Sequence, residues 1–160
     1  AGWLAETPAN GQITIPDAGD TPLFDGNQGA YLALTSTGAS AGLSVSTPML
    51  DFSNQSSVWL RFDQDLLAAT GSTTVKVWAV INHGDTAYQV FSATTSSSGE
   101  VWVDVSDAVA NQADVIFTFD LYATAAGNHW LTDNVEIGSF NDDSTCGYAD
   151  YFIFGPVVRR

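Results

Sequence analysis

Apolar residues recur at every second position through most of this chain, and that habit decides its fold class. Val58, Leu60 and Phe62 alternate with Trp59, Arg61 and Asp63. Val75, Val77 and Ala79 alternate with Lys76, Trp78 and Val80, and Val115, Phe117, Phe119 and Leu121 with Ile116, Thr118 and Asp120. Successive side chains of an extended chain point to opposite faces, so each run offers an apolar and a polar side. Shorter runs fall at Ile13-Thr14-Ile15, Ala30-Tyr31-Leu32-Ala33-Leu34 and Leu43-Ser44-Val45-Ser46, and others start at Tyr88, Val101 and Leu131. Pro16, Pro48 and a six-residue turn, Thr94-Thr95-Ser96-Ser97-Ser98-Gly99, punctuate them. The best helical window, 104–113, holds one turn around Val109. Nine short strands with clean alternation predict an all-β fold: a two-sheet antiparallel β-sandwich of jelly-roll type.

The chain is long enough for one domain, with 160 residues, 45% of them apolar, to fill its core. Eighteen acidic residues stand against four basic ones (Arg61, Lys76, Arg159, Arg160), a net charge of -14. That inventory builds no positive groove for nucleic acid and disfavours an anionic membrane surface. No apolar run approaches the roughly 20 residues of a membrane helix, so membrane insertion is not expected. The opening Ala1-Gly2-Trp3 reads as a processed end without a leader. An acidic, Lys-poor, Ser/Thr-rich composition suits an extracellular or cell-surface protein of a prokaryote. The single Cys146 allows no internal disulfide.

Texture divides the chain into residues 1–138, the sandwich, and 139–160, a tail. The tail runs from acidic Asn141-Asp142-Asp143 into apolar Tyr151-Phe152-Ile153-Phe154. Tyr151, Phe152 and Phe154 must bury themselves somewhere. They serve as a last strand of this domain, as the entry to another domain, or as a strand donated to the next copy in a surface filament or layer.

Four segments, in order, carry a family resemblance. Gly29-Ala30-Tyr31-Leu32 is followed by Leu43-Ser44-Val45-Ser46-Thr47-Pro48-Met49-Leu50-Asp51-Phe52-Ser53. The strand Val58-Trp59-Leu60-Arg61-Phe62 comes next, and Trp130-Leu131-Thr132-Asp133-Asn134-Val135-Glu136-Ile137 last. This order resembles the MAM-like, galactose-binding-like jelly rolls of extracellular proteins, above all the bacterial cleaved-adhesin and choice-of-anchor domains. Thr47 stands where that pattern has Ser, and Phe52 where it has Leu. The resemblance covers roughly residues 24 to 138. It implies a non-catalytic adhesion module for a surface glycan or protein, often with structural calcium.

Asp17, Asp20 and Asp25 lie in a Gly- and Pro-bearing segment that lets carboxylates and carbonyls converge on a hard cation, without EF-hand spacing. Alternation sets Asp133 on the face of Leu131, Val135 and Ile137, the core side, where an unpaired carboxylate costs several kcal/mol. A structural Ca2+ joining Asp133 to Asp17, Asp20 and Asp25 satisfies these charges, and the resembling families place a ligand at this Asp. The alternatives are a backbone N–H cap at a strand end and a pair with Arg61.

Trp59, Trp78 and Trp102 each face away from the apolar stripe of their strand. Together they make either a stacking platform for sugar rings or a partner, or packing beneath Ser-rich loops. Catalysis has little support. Glu6, Glu100 and Glu136 sit in no signature, Asp63 and Asp65 read as a solvated strand face, and His83 and His129 are isolated.

Overall fold

The computed structural model describes residues 3–6, 9–14 and 31–139. Every run with alternating burial is a strand. In chain order they are β1 (Leu4–Glu6), β2 (Gly11–Thr14), β3 (Leu32–Ser36), β4 (Ala41–Ser46), β5 (Trp59–Leu67) and β6 (Thr73–Ile81). After these come β7 (Thr86–Ala93), β8 (Ser97–Asp104), the single helical turn α1 (Ser106–Val109), β9 (Ile116–Ala123) and β10 (His129–Gly138). The turn forms where expected, with Val109 fully buried.

Among the described residues all strand pairings are antiparallel and build two sheets of five. Sheet I has the order β1-β4-β9-β6-β7 and sheet II the order β2-β3-β10-β5-β8. The chain crosses repeatedly between them, from β4 to β5 to β6 and from β7 to β8 to β9 to β10. The architecture is the two-sheet sandwich that the alternation predicts.

Alternation explains the core directly. Val75, Val77 and Ala79 of β6 and Phe117, Phe119 and Leu121 of β9 turn inward from sheet I. They meet Leu60, Phe62 and Leu66 of β5 and Trp130 and Ile137 of β10. Phe62 is the hub of an aromatic cluster, with ring centroids 5.4 Å from Phe91, 5.8 Å from Phe119 and 6.1 Å from Trp130. Trp130 carries an N–H into this dry interior and needs an acceptor there. It donates to Gln64 Oε1 at 3.0 Å, and Gln64 Nε2 donates to Ser97 Oγ at 3.1 Å.

Three details differ from the expectation. β1 is a three-residue, wholly exposed edge strand with no alternating stripe to announce it. The turn expected over residues 94–99 is shorter, because Ser97 and Ser98 pair with Leu66 and Asp65 and lengthen β8. β10 carries a β-bulge: the register runs Asp133↔Asp63 and then Glu136↔Arg61, with Asn134 in the left-handed region at φ 49°. An extra residue reverses the phase of alternation beyond it. Leu131 and Asp133 therefore share the outer side of sheet II with Asp63, while Val135 and Ile137 point into the core.

Candidate functional site

The outer face of sheet I is built in transverse rows. One row is Ser46, Thr118 and Trp78, the next Ser44, Asp120 and Lys76, and the third Gly42, Tyr122 and Thr74. Each row crosses β4, β9 and β6, so backbone ladders hold every member in place. Trp78 and Tyr122 lie two rows apart, a stagger of about 13 Å along the strands at the usual rise.

Asp120 organises this face. It is only 5% exposed, and its oxygens accept from Ser44 Oγ at 2.8 Å and Tyr122 Oη at 3.2 Å. The phenol of Tyr122 is pushed above its ordinary value by burial, then by the negative charge of Asp120 and the hydrogen bond to it. It therefore stays protonated and goes on donating. This bond fixes a ring that is still 48% exposed. Gly42 leaves room beside it, since a Cβ there would stand 3.6 Å from Tyr122 Cδ1. A hollow of about 350 Å³ opens next to the ring, lined by Ser40, Ala41, Gly42, Ser72, Thr74, Tyr122, Ala123 and Thr124. Its rim is tied by Ser72 N donating to Thr124 Oγ1 at 2.8 Å and Thr124 N to Ser72 O at 3.0 Å. At the other end of the face, Lys76 Nζ sits over Trp78, 5.0 Å from the ring centroid. A fixed aromatic plane beside several hydroxyls is chemistry suited to polyols: CH groups stack on the ring while the hydroxyls at its edge exchange hydrogen bonds.

The outer face of sheet II carries a different group. Arg61 bonds to Glu100 through Nε and to Glu136 through Nη1, the latter at 3.1 Å. Its guanidinium lies over Trp102, 5.2 Å from the centroid, and Trp59 meets Trp102 edge-on at 6.4 Å. Glu100 is held below the ordinary carboxylate range by the hydrogen bond from Trp102 and then by Arg61.

The three tryptophans thus do not form one platform. Trp59 and Trp102 come together on adjacent β5 and β8, while Trp78 belongs to sheet I, because the β5–β6 connection crosses the sandwich. Asp133 is 2% exposed, as buried as expected, but it lies opposite Asp63 on the outer side of sheet II and not in the apolar core. Its Oδ1 accepts from Asn134 N at 2.7 Å, and Asn134 Nδ2 donates to Asp63 at 2.7 Å. Arg61, the other candidate partner of Asp133, is engaged by Glu100 and Glu136. Asp17, Asp20 and Asp25 lie outside the described residues, as do Tyr151, Phe152 and Phe154. Among the described residues, no three His, Cys, Asp or Glu side chains group as a metal site. The sequence reading missed Tyr122 and the role of Asp120. Extending the outward series Thr118, Asp120 by two positions reaches Tyr122, so the signal was present.

No family model and no curated protein matches the sequence. Solved structures do match. One, of carbohydrate-binding modules from the beta-sandwich super family, superposes with a TM-score of 0.63 at 9% identity over 86% of this chain. This chain spans 57% of that one's length. The K1 cleaved adhesin domain of Lys-gingipain from Porphyromonas gingivalis W83 gives 0.54 at 15% identity, covering 88% of this chain and all of that one. The family 11 carbohydrate-binding module of cellulase Lic26A-Cel5E from Clostridium thermocellum gives 0.51 at 12% identity, over 84% and 86%. The chain shares the fold of carbohydrate-binding and adhesin β-sandwiches. At these identities the likeness speaks for fold alone.

Proposed function

We propose that the protein is a non-catalytic, extracellular glycan-binding module whose ligand lies along the outer face of sheet I. The observation that carries this reading is Tyr122, a half-exposed ring held by a buried carboxylate beside an open, mostly apolar hollow rimmed by a few hydroxyls. Trp78, two rows away, supplies a second stacking surface, so the face suits a chain of linked sugars. The fold neighbours, among them carbohydrate-binding modules and a cleaved adhesin domain, support a binding role. The finer kinship to MAM-like and choice-of-anchor domains rests on the four sequence segments.

A structural Ca2+ belongs to the same proposal. The donor chemistry fits: Asp133 is a deeply buried carboxylate placed directly across the ladder from Asp63, a like-charge juxtaposition that a hard cation relieves. Asp17, Asp20 and Asp25 would complete an all-oxygen set.

Affinity electrophoresis through gels containing neutral plant and microbial polysaccharides tests the reading. The native protein is expected to be retarded by at least one. Tyr122→Ala with Trp78→Ala should lose about tenfold in affinity, as truncation of an aromatic anchor does. Unchanged retardation in a folded double variant overturns sheet I as the glycan face.

A further inference from the structure

We infer that the Trp59–Trp102–Arg61 group on sheet II is a second saccharide site, selective for neutral sugars and separate from the face on sheet I. Its existence does not depend on the first site.

Trp102 is 48% exposed, yet it is held from three directions. Arg61 lies over it, Trp59 abuts it edge-on, and Glu100 accepts its hydrogen bond. An anchor docking into a protein partner sits in an apolar patch that a large, well-packed interface then desolvates. Apart from Trp59, the neighbours along β5 and β8 are Asp63, Asp104 and Glu100, so the two indoles form a small aromatic island in a polar surface. A single pyranose ring matches such an island. It offers a small CH face to the indole and a rim of hydroxyls to the surrounding carboxylates. Fixing the ring in advance lowers the ordering cost of a weak, small-area ligand.

Charge sets the selectivity. Among the described residues Arg61 is the Lys or Arg of this face, and Glu100 and Glu136 both engage it, which leaves the trio with a net negative charge. Asp63, Asp65 and Asp104 add more on the same side. A uronate or sulfated sugar meets repulsion here, and Arg61 is already committed to Glu100 and Glu136, whereas a neutral sugar donates hydroxyl hydrogens to carboxylates that are already oriented. With sites on opposite faces of the sandwich, one molecule bridges two polysaccharide chains and gains avidity on a dense matrix.

The test compares four folded proteins by affinity electrophoresis: native, Tyr122→Ala/Trp78→Ala, Trp102→Ala, and all three changes together. The gels contain mixed-linkage β-glucan, xylan, galactan or, as the anionic probe, polygalacturonate. Trp102→Phe, which keeps a ring, serves as the conservative control, and melting curves verify folding. In at least one neutral gel the sheet I double variant should keep measurable retardation. Adding Trp102→Ala should remove it, a loss of about tenfold or more, while Trp102→Phe retains part. Polygalacturonate should retard none of them. The inference is overturned if the double variant shows no retardation where the native protein does, which leaves the sheet I reading intact. It is also overturned if Trp102→Ala changes nothing, or if polygalacturonate is the preferred matrix. Loss of all binding on Trp102→Ala alone would instead sink the sheet I reading and uphold this one. No binding by the native protein in any gel overturns both.

Discussion

Replacing Asp120 with Asn tests how the sheet I face is held together. The change is nearly isosteric, so packing is preserved while the acceptor chemistry is not. The carboxylate now accepts from two hydroxyls, Ser44 Oγ at 2.8 Å and Tyr122 Oη at 3.2 Å. An amide offers one oxygen, and its NH2 can only donate, so one hydroxyl must turn round or lose its partner. Hydrogen bonds to a charged group contribute about 1.5–3 kcal/mol against about 0.5–1.5 for neutral ones, so two weakened bonds cost about 2 kcal/mol. Relief from burying a charge at a site 5% exposed offsets part of this, leaving a net loss of about 1–2 kcal/mol. For a domain of this size that lowers Tm by about 5 °C. The sharper readout is Tyr122 itself. Its phenol is raised first by burial and then by Asp120's charge and hydrogen bond. In the variant the burial contribution survives and the other two disappear. Its titration should therefore move down toward the ordinary tyrosine value and stop above it. A group raised on folding contributes stability that is fully present below its unfolded pKa. That stability is lost as pH rises through the folded value, so the native protein weakens in alkali and the Asn variant has a narrower window of loss. Carbon-13 NMR of labelled tyrosine, alongside thermal melts from neutral to alkaline pH, measures both. An unchanged Tyr122 titration in Asp120→Asn, or a variant more stable than native at neutral pH, would refute this account of the face.

Trp130→Phe should cost about 3 kcal/mol by chemical denaturation, since it strands buried Gln64 Oε1 and removes ring volume from a fully buried site. Adding Gln64→Leu should recover part of that, and strictly additive losses would count against the bond. Melting should rise from EDTA to millimolar calcium by an amount equivalent to about 2.7 kcal/mol at a hundredfold excess over Kd. Asp133→Ala should erase the rise; equal melting with and without calcium, and no metal by elemental analysis, would remove the ion. Because Glu100 is depressed by Trp102 and Arg61, the contacts around Trp102 should persist as pH falls through the ordinary glutamate range. Their stabilisation is complete above the unfolded pKa and fades only through the lower folded one. An indole resonance of Trp102 that shifts at or above the usual glutamate midpoint would contradict this.

Alternation made most of this architecture readable because a strand's apolar stripe is written locally, residue by residue. Val75, Val77 and Ala79 announce themselves without reference to anything distant. β1 did not, because Leu4–Glu6 is exposed on a sheet edge and its only reason to be extended is the partner β4. Asp133 failed differently. Its burial was legible, but its face depended on a bulge at Asn134, whose φ of 49° breaks the two-residue period on which the reading relied. The tryptophans failed for a third reason. That Trp59, Trp78 and Trp102 point outward is a local fact; which sheet each strand joins is a topological one. Two adjacent strands in sequence, β5 and β6, sit in different sheets, and so a single apparent platform resolves into two faces.

That separation has a physical consequence for binding. A face laid across β4, β9 and β6 takes its rigidity from ladders on both sides of β9, so its rows keep their spacing without help from loops. The sheet II group instead has Trp102 on β8, which among the described residues is an edge strand with a ladder on one side only. There the rigidity comes from side chains: the Arg61 bridge to Glu100 and Glu136 spans three strands, β8, β5 and β10, and clamps the edge to the sheet. Exposed ion pairs contribute little to global stability, and this one need not. Its effect is local, holding two indoles in a fixed relation. Arg61→Met removes the charge and keeps much of the length. The melting temperature should therefore change by no more than about 2 °C for a loss within about 0.5 kcal/mol. The Trp102 indole should meanwhile become mobile by nitrogen-15 relaxation. A large melting loss with an unchanged indole would reverse the assignment and make the bridge structural.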